Sequence, residues 1–304
     1  MLKSIHCYRL SYFKHKPYKD LFMKFGKFEI HSIVTGQFAL DGGAMFGVVP
    51  KVLWERTNPA DDRNRIALSM RSLLIISDEK KILVDTGAGN KNNDKFNSIY
   101  GIQNVDGWFD NALKKYDLTP NDITDVILTH LHFDHCGGST KLVDDEVVPT
   151  FPKAKYYIQR EQFEWALNAS DKDRVSFIKD DFMPLKNNDQ LVLTEGEFEL
   201  FDGIEILTSN GHTPKQQHVK LSSEGKTIFY TGDLIPTASH IPYPYVMGYD
   251  LYPLTTIEEK KKILPQAYEE NWILFFEHDP FVNSVTIISS EKGFIIKEKN
   301  ILDD

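Results

Sequence analysis

The stretch Thr129-His130-Leu131-His132-Phe133-Asp134-His135-Cys136-Gly137-Gly138 decides the fold of this 304-residue chain. Three imidazoles and a carboxylate fall within six consecutive positions, directly after the apolar run at residues 126–128. Such a run is typical of a buried strand, so we expect the polar side chains on a loop at the edge of a sheet. Imidazole and carboxylate are ligand types that suit zinc and related divalent metals. Scattered surface histidines rarely bunch in this way, so the stretch predicts a metal site.

The stretch holds more ligands than one tetrahedral ion accepts. His130 and His132, two positions apart, can converge on one metal, whereas Asp134 and His135 suit a second. Further ligands must come from downstream. Three candidates each follow a strand-like segment and precede a turn, and they are His212, Asp233 and His278. This recurrence predicts a single sheet edge at which all seven side chains meet.

The order of these motifs resembles the metallo-β-lactamase superfamily. His-x-His-x-Asp-His is followed by Gly-His-Thr-Pro at residues 211–214, by Thr-Gly-Asp at 231–233 and by a late histidine. Leu-Val-Asp-Thr-Gly at residues 83–87 is similar to the superfamily's early aspartate motif. The resemblance covers about residues 28–296. It implies a four-layer αβ/βα sandwich in which two mixed β-sheets lie face to face, flanked by helices.

The resemblance also implies which residues hold two divalent metal ions. One metal would be held by His130, His132 and His212, the other by Asp134, His135 and His278, and Asp233 would bridge both. Asp85 is expected behind the ligands, orienting one of them. Zinc is the first expectation, and iron, manganese or cobalt also suit such ligands. Asp134 is in addition a candidate catalytic residue that steers the nucleophile or shuttles a proton.

The metal pair implied by the resemblance predicts hydrolysis. Two neighbouring cations lower the pKa of a shared water, and the hydroxide attacks a carbonyl or phosphoryl centre. His132 favours hydrolysis, since relatives with a diiron pair for oxygen or nitric oxide reduction tend to carry glutamate there. Phe133 and the segments 233–240 and 248–254 resemble the quorum-quenching N-acyl homoserine lactone lactonases. We therefore expect a lactone or ester hydrolase acting on a small molecule. The alternatives are a phosphotriester or phosphodiester hydrolase, a nuclease included, and a redox protein of the persulfide dioxygenase or diiron type.

Two positions depart from the lactonase pattern. Some lactonases carry a tyrosine three residues after the bridging aspartate, where it contacts the substrate carbonyl, but this chain has Pro236. Many relatives have glycine after His-Thr-Pro, where this chain has Lys215. A different donor must therefore contact the substrate, or the substrate differs. His240 is a candidate catalytic residue, as a donor above the metal pair, with a structural role on the proline-rich loop 241–245 as the alternative.

An apolar, glycine-flanked segment near the N-terminus offers a wall for a substrate. Residues 40–47 are predicted to form a loop. Met45, Phe46 and Trp54 are candidates to line an acyl pocket, because small-molecule sites are concave and mostly apolar. The alternatives for these side chains are the core and the contact of a homodimer.

Composition limits the partners and the compartment. A formal net charge of -9 argues weakly against a nucleic-acid partner, because phosphate binding requires clustered lysine and arginine. No apolar run approaches the ~20 residues that span a bilayer, so we expect no membrane partner. The two cysteines, Cys7 and Cys136, do not form a disulfide framework, which predicts a reducing, cytoplasmic compartment. Cys136 is expected to pack rather than to bind metal.

The N-terminal residues differ in composition from the rest of the chain. Residues 1–26 carry six lysine and arginine residues against Asp20 alone, interleaved with aromatic side chains. They lack the apolar core and cleavage site of a secretory signal. We expect residues 1–26 to be a basic, loosely ordered extension, and residues 27–304 to be one hydrolase domain. The alternatives are a functional basic arm and a native start at Met23.

Overall fold

The computed structural model describes residues 23–104 and 108–303. Their strands are β1 Met23–Phe25, β2 Phe28–Asp41, β3 Arg65–Ile76, β4 Lys81–Val84, β5 Gln103–Asn104, β6 Asp125–Ile127, β7 Thr140–Val143, β8 Glu146–Pro149, β9 Lys155–Gln159, β10 Leu191–Thr194, β11 Phe198–Phe201, β12 Ile204–Ser209, β13 Gln216–Ser223, β14 Lys226–Tyr230, β15 Ile273–Phe275, β16 Ser284–Ser290 and β17 Gly293–Lys299. Their α-helices are α1 Gly42–Phe46, α2 Lys51–Trp54, α3 Asp94–Tyr100, α4 Trp108–Lys114, α5 Phe133–Cys136, α6 Arg160–Leu167, α7 Met183–Asn187 and α8 Pro253–Glu269.

The strands form two large mixed sheets and a small hairpin. The first sheet has the order β1-β2-β3-β4-β6-β9-β10, with β5 on β2, and it is antiparallel up to β4 and parallel from β4 onward. The second sheet runs from β11 to β17 in chain order, and its one parallel pair is β14 with β15. The separate hairpin is β7-β8.

Alternating apolar side chains place each sheet between two layers. Along β3, Leu73 and Ile75 belong to the core that both sheets share, whereas Leu74 belongs to the core beneath α4, α6 and α7. This alternation is the period-two pattern of a strand buried on both faces. The second sheet is covered on its outer face by α8 through Leu264 and Ala267. The four-layer αβ/βα sandwich expected from the sequence is therefore the fold observed. Across residues 23–104 and 108–303, no helix has both the length and the apolar character required to span a membrane.

The parallel pairs bring the ends of distant strands to one edge. In the first sheet β4 lies beside β6, so Asp85 and the loop after Ile127 emerge together. In the second sheet β14 lies beside β15, so Asp233 and His278 emerge together. Two parallel neighbouring strands run in the same N-to-C direction, so their carboxyl ends meet at the same edge of the sheet. This edge carries the predicted ligands.

The structure corrects two boundaries. The expected extension at residues 1–26 is too long, because Met23–Phe25 pairs with the start of β2, with Phe25 opposite Phe28. Phe25 is fully buried in the core between the sheets, and such burial typically stabilises a fold by roughly 1.5–3 kcal/mol. The expectation for residues 1–22 lies outside the described residues. The loop predicted at residues 40–47 contains α1, whose first turn is capped by the Asp41 carboxylate accepting from the Ala44 amide at 2.9 Å.

Candidate metal centre

The loop after β6 is held in place by the loop after β4. The Asp85 carboxylate accepts from the Thr129 amide at 2.7 Å and from the Thr129 hydroxyl at 2.6 Å. The Thr86 amide donates to the His135 carbonyl at 2.7 Å. Gly138 permits this close packing, because a Cβ there would lie 2.1 Å from the Thr86 carbonyl oxygen. The Gly-Gly pair that ends the motif therefore allows two backbones to touch.

The first cluster contains three histidines and an aspartate. The Nε2 atom of His130 lies 3.0 Å from Nδ1 of His132, and that Nδ1 lies 3.1 Å from Nε2 of His212. An Asp233 oxygen, Oδ2, lies 3.2 Å from Nε2 of His212. One ligand atom from each of these four buried residues lies within 4.8 Å of all the others.

The second cluster contains Asp134, His135 and His278. Nε2 of His278 lies 3.0 Å from Nε2 of His135 and 3.7 Å from Oδ2 of Asp134. The other Asp233 oxygen, Oδ1, lies 3.2 Å from Nε2 of His278 and 3.5 Å from Nε2 of His135. Asp233 thus directs one carboxylate oxygen to each cluster. All seven side chains that the sequence singled out lie together at this edge.

The outer nitrogens of four imidazoles have partners that fix their orientation. Nδ1 of His135 donates to Asp85 at 3.1 Å and faces Glu277 at 2.9 Å. Nδ1 of His212 donates to Asp250 at 3.0 Å, and Nδ1 of His278 donates to a main-chain carbonyl at 2.9 Å. Nδ1 of His130 bonds the neighbouring threonine hydroxyl at 3.0 Å. Each of these rings therefore presents Nε2 to its cluster, the arrangement that metal-binding histidines use.

The electrostatics of the two clusters are opposite. Burial lowers the pKa of His130 and of His132 well below the usual value, and repulsion from neighbouring imidazoles adds to this. Burial also acts to lower the pKa of His135, but the carboxylates of Glu277, Asp233 and Asp134 outweigh it and raise that pKa well above the usual value. In the same way Asp233 raises the pKa of His278 to about 9, against the effect of burial. The second cluster is therefore rich in negative charge.

These residues fit divalent cations. Ring nitrogens that face each other at 3.0–3.1 Å bring lone pairs together, and a cation between them would relieve that repulsion. Among the described residues, the buried Oδ1 of Asp233 has no hydrogen-bond partner, although such atoms are rarely left unpaired. The buried Cys136 belongs to the apolar core beneath the helices and to neither cluster, which matches the packing role expected for it.

A cavity of about 130 Å³ opens onto both clusters. Its polar end is formed by side chains of the clusters, namely His132, Asp134, His212, Asp233 and His278. Its walls are largely apolar and include Leu40, Met45, Leu68, Phe133, Val175 and Met247. A molecule with one polar, reactive end and one apolar end matches this shape.

Three predicted site residues lie elsewhere. His240 does not line this cavity, since it is fully buried, with Nε2 donating to the Met45 carbonyl at 2.8 Å and Nδ1 at 2.7 Å from the Thr237 hydroxyl. Both ring nitrogens of His240 are bonded within the protein, so this geometry favours the structural role on the loop over the role of a substrate donor. The ring of Phe46 stacks between His240, at 4.5 Å, and Trp54, at 5.4 Å. Phe46 and Trp54, both predicted to line the cavity, therefore lie behind the residues that line it. Met45 does line the cavity.

Two carboxylates that orient ligands were missed by the sequence reasoning. Glu277 is fully buried beside His135 and accepts from the Tyr230 hydroxyl at 2.8 Å. A charged residue at the end of the apolar run 273–276 was a usable signal, since glutamate is almost never buried without a partner. Asp250, which bonds His212, lies 38 residues downstream in an irregular segment, and the resemblance of residues 248–254 to the lactonases did not single it out.

Comparison with known proteins agrees with this geometry. Residues 70–278 match the model of the metallo-beta-lactamase superfamily. The chain belongs to that superfamily, and it is a metal-dependent hydrolase.

Individual relatives support the assignment. The chain is 27% identical over 218 residues to the N-acyl homoserine lactonase AiiA of Bacillus thuringiensis subsp. kurstaki, covering 68% of this chain and 79% of that protein. A probable metal-dependent hydrolase from Staphylococcus aureus superposes with a TM-score of 0.82 at 30% identity, covering 91% of this chain and 99% of that one. AidC, described as a dizinc quorum-quenching lactonase, shares the fold with a TM-score of 0.77 at 23% identity, covering 92% and 97%.

Proposed function

We propose that the protein is a dinuclear-metal-dependent lactonase that opens N-acyl homoserine lactones. The observation that carries the proposal is the position of Asp233, with one oxygen 3.2 Å from His212 and the other 3.2 Å from His278. A carboxylate placed between two ligand sets is suited to bridging two cations. The lactonase names of relatives at 27% identity supply the substrate class.

In this proposal each cluster binds one divalent cation, with zinc as the first expectation. Its ligands are His130, His132 and His212 for one ion and Asp134, His135 and His278 for the other, with Asp233 shared. Bound as a pair, such ions supply an acidified water and neutralise charge that develops on a carbonyl oxygen. Asp85, Glu277 and Asp250 keep the ligand rings oriented.

Asp134 has a second role in the proposal. Its carboxylate lines the cavity and lies 3.7 Å from His278 and 3.9 Å from His135, at the edge of the second cluster. A carboxylate in this place can accept a proton from the attacking water and return it to the leaving alkoxide of an opened lactone ring. We therefore assign Asp134 as a ligand and as the proton carrier.

The walls of the cavity support an acylated substrate. Met45, Met247 and Leu68 are buried side chains that line the cavity, and the partly buried Leu40 lines it with them. Methionine is flexible and fills irregular apolar space, so these walls suit a chain that varies in length. An acyl chain would lie along this side while the lactone ring faces the clusters.

The test is a substrate panel on zinc-loaded protein whose metal content is measured. We expect hexanoyl and decanoyl homoserine lactone to be opened with a higher kcat/KM than an aryl ester or a paraoxon-type triester. Chelation should abolish the reaction and zinc should restore it. Faster turnover of the triester than of any lactone would replace the proposal with a phosphotriesterase.

A pair of carboxylate variants provides the control. Asp134→Asn should reduce kcat by roughly 100-fold or more, in line with loss of a general base. Asp171→Asn, which changes an exposed carboxylate on the nearby surface, should retain the parent activity. Equal activity of the two variants would remove Asp134 from the mechanism.

A further inference from the structure

Two tyrosines line the same cavity as the metal clusters. Tyr100 ends α3, and Tyr249 lies in the irregular segment before α8. Among the described residues, neither phenol hydroxyl has a hydrogen-bond partner within the protein. A phenol at a cavity wall is an efficient donor, and one left unpaired there is available to a bound molecule.

The backbone around Tyr249 is anchored to His212, one of the proposed metal-binding residues. The neighbouring Asp250 accepts from Nδ1 of His212 at 3.0 Å, and the Leu251 amide donates to the His212 carbonyl at 3.1 Å. The segment is also fixed from two other sides, by the Gly248 amide donating to a carbonyl of α1 at 2.7 Å and by Lys172, whose ammonium bonds the Tyr249 carbonyl at 3.3 Å. The backbone that carries the Tyr249 side chain is therefore fixed beside His212 of the first cluster.

Tyr249 lines the cavity together with Asp134, and its phenol keeps its proton there. Burial raises the pKa of Tyr249 to about 12, and the neighbouring Asp41, Tyr100 and Asp134 add to the rise. Asp134 likewise adds to the effect of burial that raises the pKa of Tyr100. Both phenols thus lie within the field of the same carboxylate, and both remain donors at neutral pH.

The other donors in the cavity are less suitable. Lys172 uses its ammonium group on the carbonyls of Tyr249 and Asp250. Tyr100 packs its ring against Phe96 at 4.5 Å and Phe133 at 5.0 Å, which makes it part of the apolar wall. Ser176 lies on a short turn at the cavity rim and has no bond to the segment that orients His212.

We propose that Tyr249 is a catalytic residue whose hydroxyl donates a hydrogen bond to the carbonyl oxygen of the scissile ester or lactone. This inference rests on the proposed function. The hydrogen bond strengthens as charge develops on that oxygen, so it stabilises the transition state more than the ground state. No proton is transferred from the phenol.

The experiment compares Tyr249→Phe with Tyr252→Phe in zinc-loaded protein of measured metal content. Tyr252 is half exposed and does not line the cavity, so its variant should behave as the parent. For Tyr249→Phe we expect kcat on hexanoyl homoserine lactone to fall by about 10- to 100-fold with KM within about threefold, as for loss of one oxyanion donor. A second readout is competitive inhibition by the corresponding lactam, which keeps the ring carbonyl; its inhibition constant should rise by about 2- to 10-fold.

The outcomes separate this inference from the proposed function. If the parent protein opens no lactone and no ester, the proposed function fails before any variant is compared. If the parent opens lactones and Tyr249→Phe has the parent kcat and lactam affinity, the inference alone is overturned. The same holds if Tyr100→Phe or Ser176→Ala shows the expected loss while Tyr249→Phe does not. Unchanged metal content and thermal melting of Tyr249→Phe exclude a folding defect as the cause.

Discussion

The two donor clusters use the same residue types but are supported by different surroundings. Behind the first cluster stand a threonine hydroxyl on His130 and a single carboxylate, Asp250, on His212. Among the described residues, the buried Nε2 of His132 has no partner. Behind the second cluster, Nδ1 of His135 faces both Asp85 at 3.1 Å and Glu277 at 2.9 Å.

The two clusters therefore differ in the charge around their imidazole rings as well as in the bonds that orient those rings. In the first cluster burial lowers the pKa of His130 and of His132 well below the usual value, and the neutral ring is the form that binds metal. The second cluster surrounds its imidazoles with carboxylates, which raise the pKa of both His135 and His278. Cation binding there must displace protons but restores the charge balance of a buried, anionic region. The first cluster therefore depends on one orienting carboxylate, whereas the second has two.

Asp233→Asn should have the largest effect, because the Asp233 carboxylate directs one oxygen to each cluster. The amide removes the shared negative charge and offers one oxygen instead of two. We expect kcat/KM for lactone opening to fall by about a thousandfold, which corresponds to the several kcal/mol that metal catalysis contributes. Metal analysis after dialysis should show fewer ions per chain than in the parent. Parent metal content together with parent activity would show that the two clusters work without a shared carboxylate.

Asp250→Asn and Glu277→Gln test whether the second cluster is redundantly supported. Asp250 is the carboxylate behind His212, so Asp250→Asn should weaken metal binding by about 100-fold, the upper end for a residue behind a ligand. Glu277→Gln should cost only about tenfold, because His135 keeps its bond to Asp85.

Competitive chelator titration of both variants measures the difference, and Tyr252→Phe serves again as the neutral reference. A larger loss in Glu277→Gln than in Asp250→Asn would reverse the ranking. It would mean that the negative charge of the second cluster matters more than the number of orienting bonds.

The motif residues were predictable because each follows its own strand. His130, Asp233 and His278 come shortly after β6, β14 and β15, and the sandwich brings those strand ends to one edge whatever the intervening loops do. The four-layer architecture was predictable from the resemblance of these motifs to the metallo-β-lactamase superfamily. Boundaries were less predictable, as β1 shows, because three residues gain their strand only by pairing with β2.

The cavity walls were not predictable from local pattern. Met45 and Phe46 are adjacent and both apolar, yet one lines the cavity and the other stacks on His240 behind it. The direction in which each side chain points is set by α1, a helix that the sequence did not indicate. It is also set by contacts with residues about 195 positions away in the chain, such as the bond between His240 and the Met45 carbonyl. Asp250 and Tyr249 were likewise placed beside the clusters by a segment without regular structure. Long-range packing, rather than any motif, decides which of these side chains meets the substrate.

His240→Gln should have the smallest effect on catalysis, since His240 touches neither cluster. Its ring lies behind the Met45 wall, and we expect kcat for lactone opening to stay within about threefold of the parent. The effect should appear in stability instead. Burial lowers the pKa of His240 to about 3, so the folded protein keeps this ring neutral while the unfolded chain protonates it below pH 6.5. The neutral ring thus contributes stability that is present above pH 6.5 and is lost as the pH falls toward 3.

Urea unfolding of metal-free protein between pH 6.5 and 4 measures this contribution. One proton taken up only by the unfolded chain gives a slope of about 1.4 kcal/mol per pH unit. Because glutamine does not titrate, the free energy of unfolding of His240→Gln should decline less steeply than that of the parent by about that amount. The variant loses the stacking on Phe46, so its stability at pH 7 should also be lower by roughly 1–2 kcal/mol. An identical slope in both proteins, or a large loss of kcat in the variant, would contradict the structural role of His240. Either result would show that His240 acts together with the two clusters in the reaction.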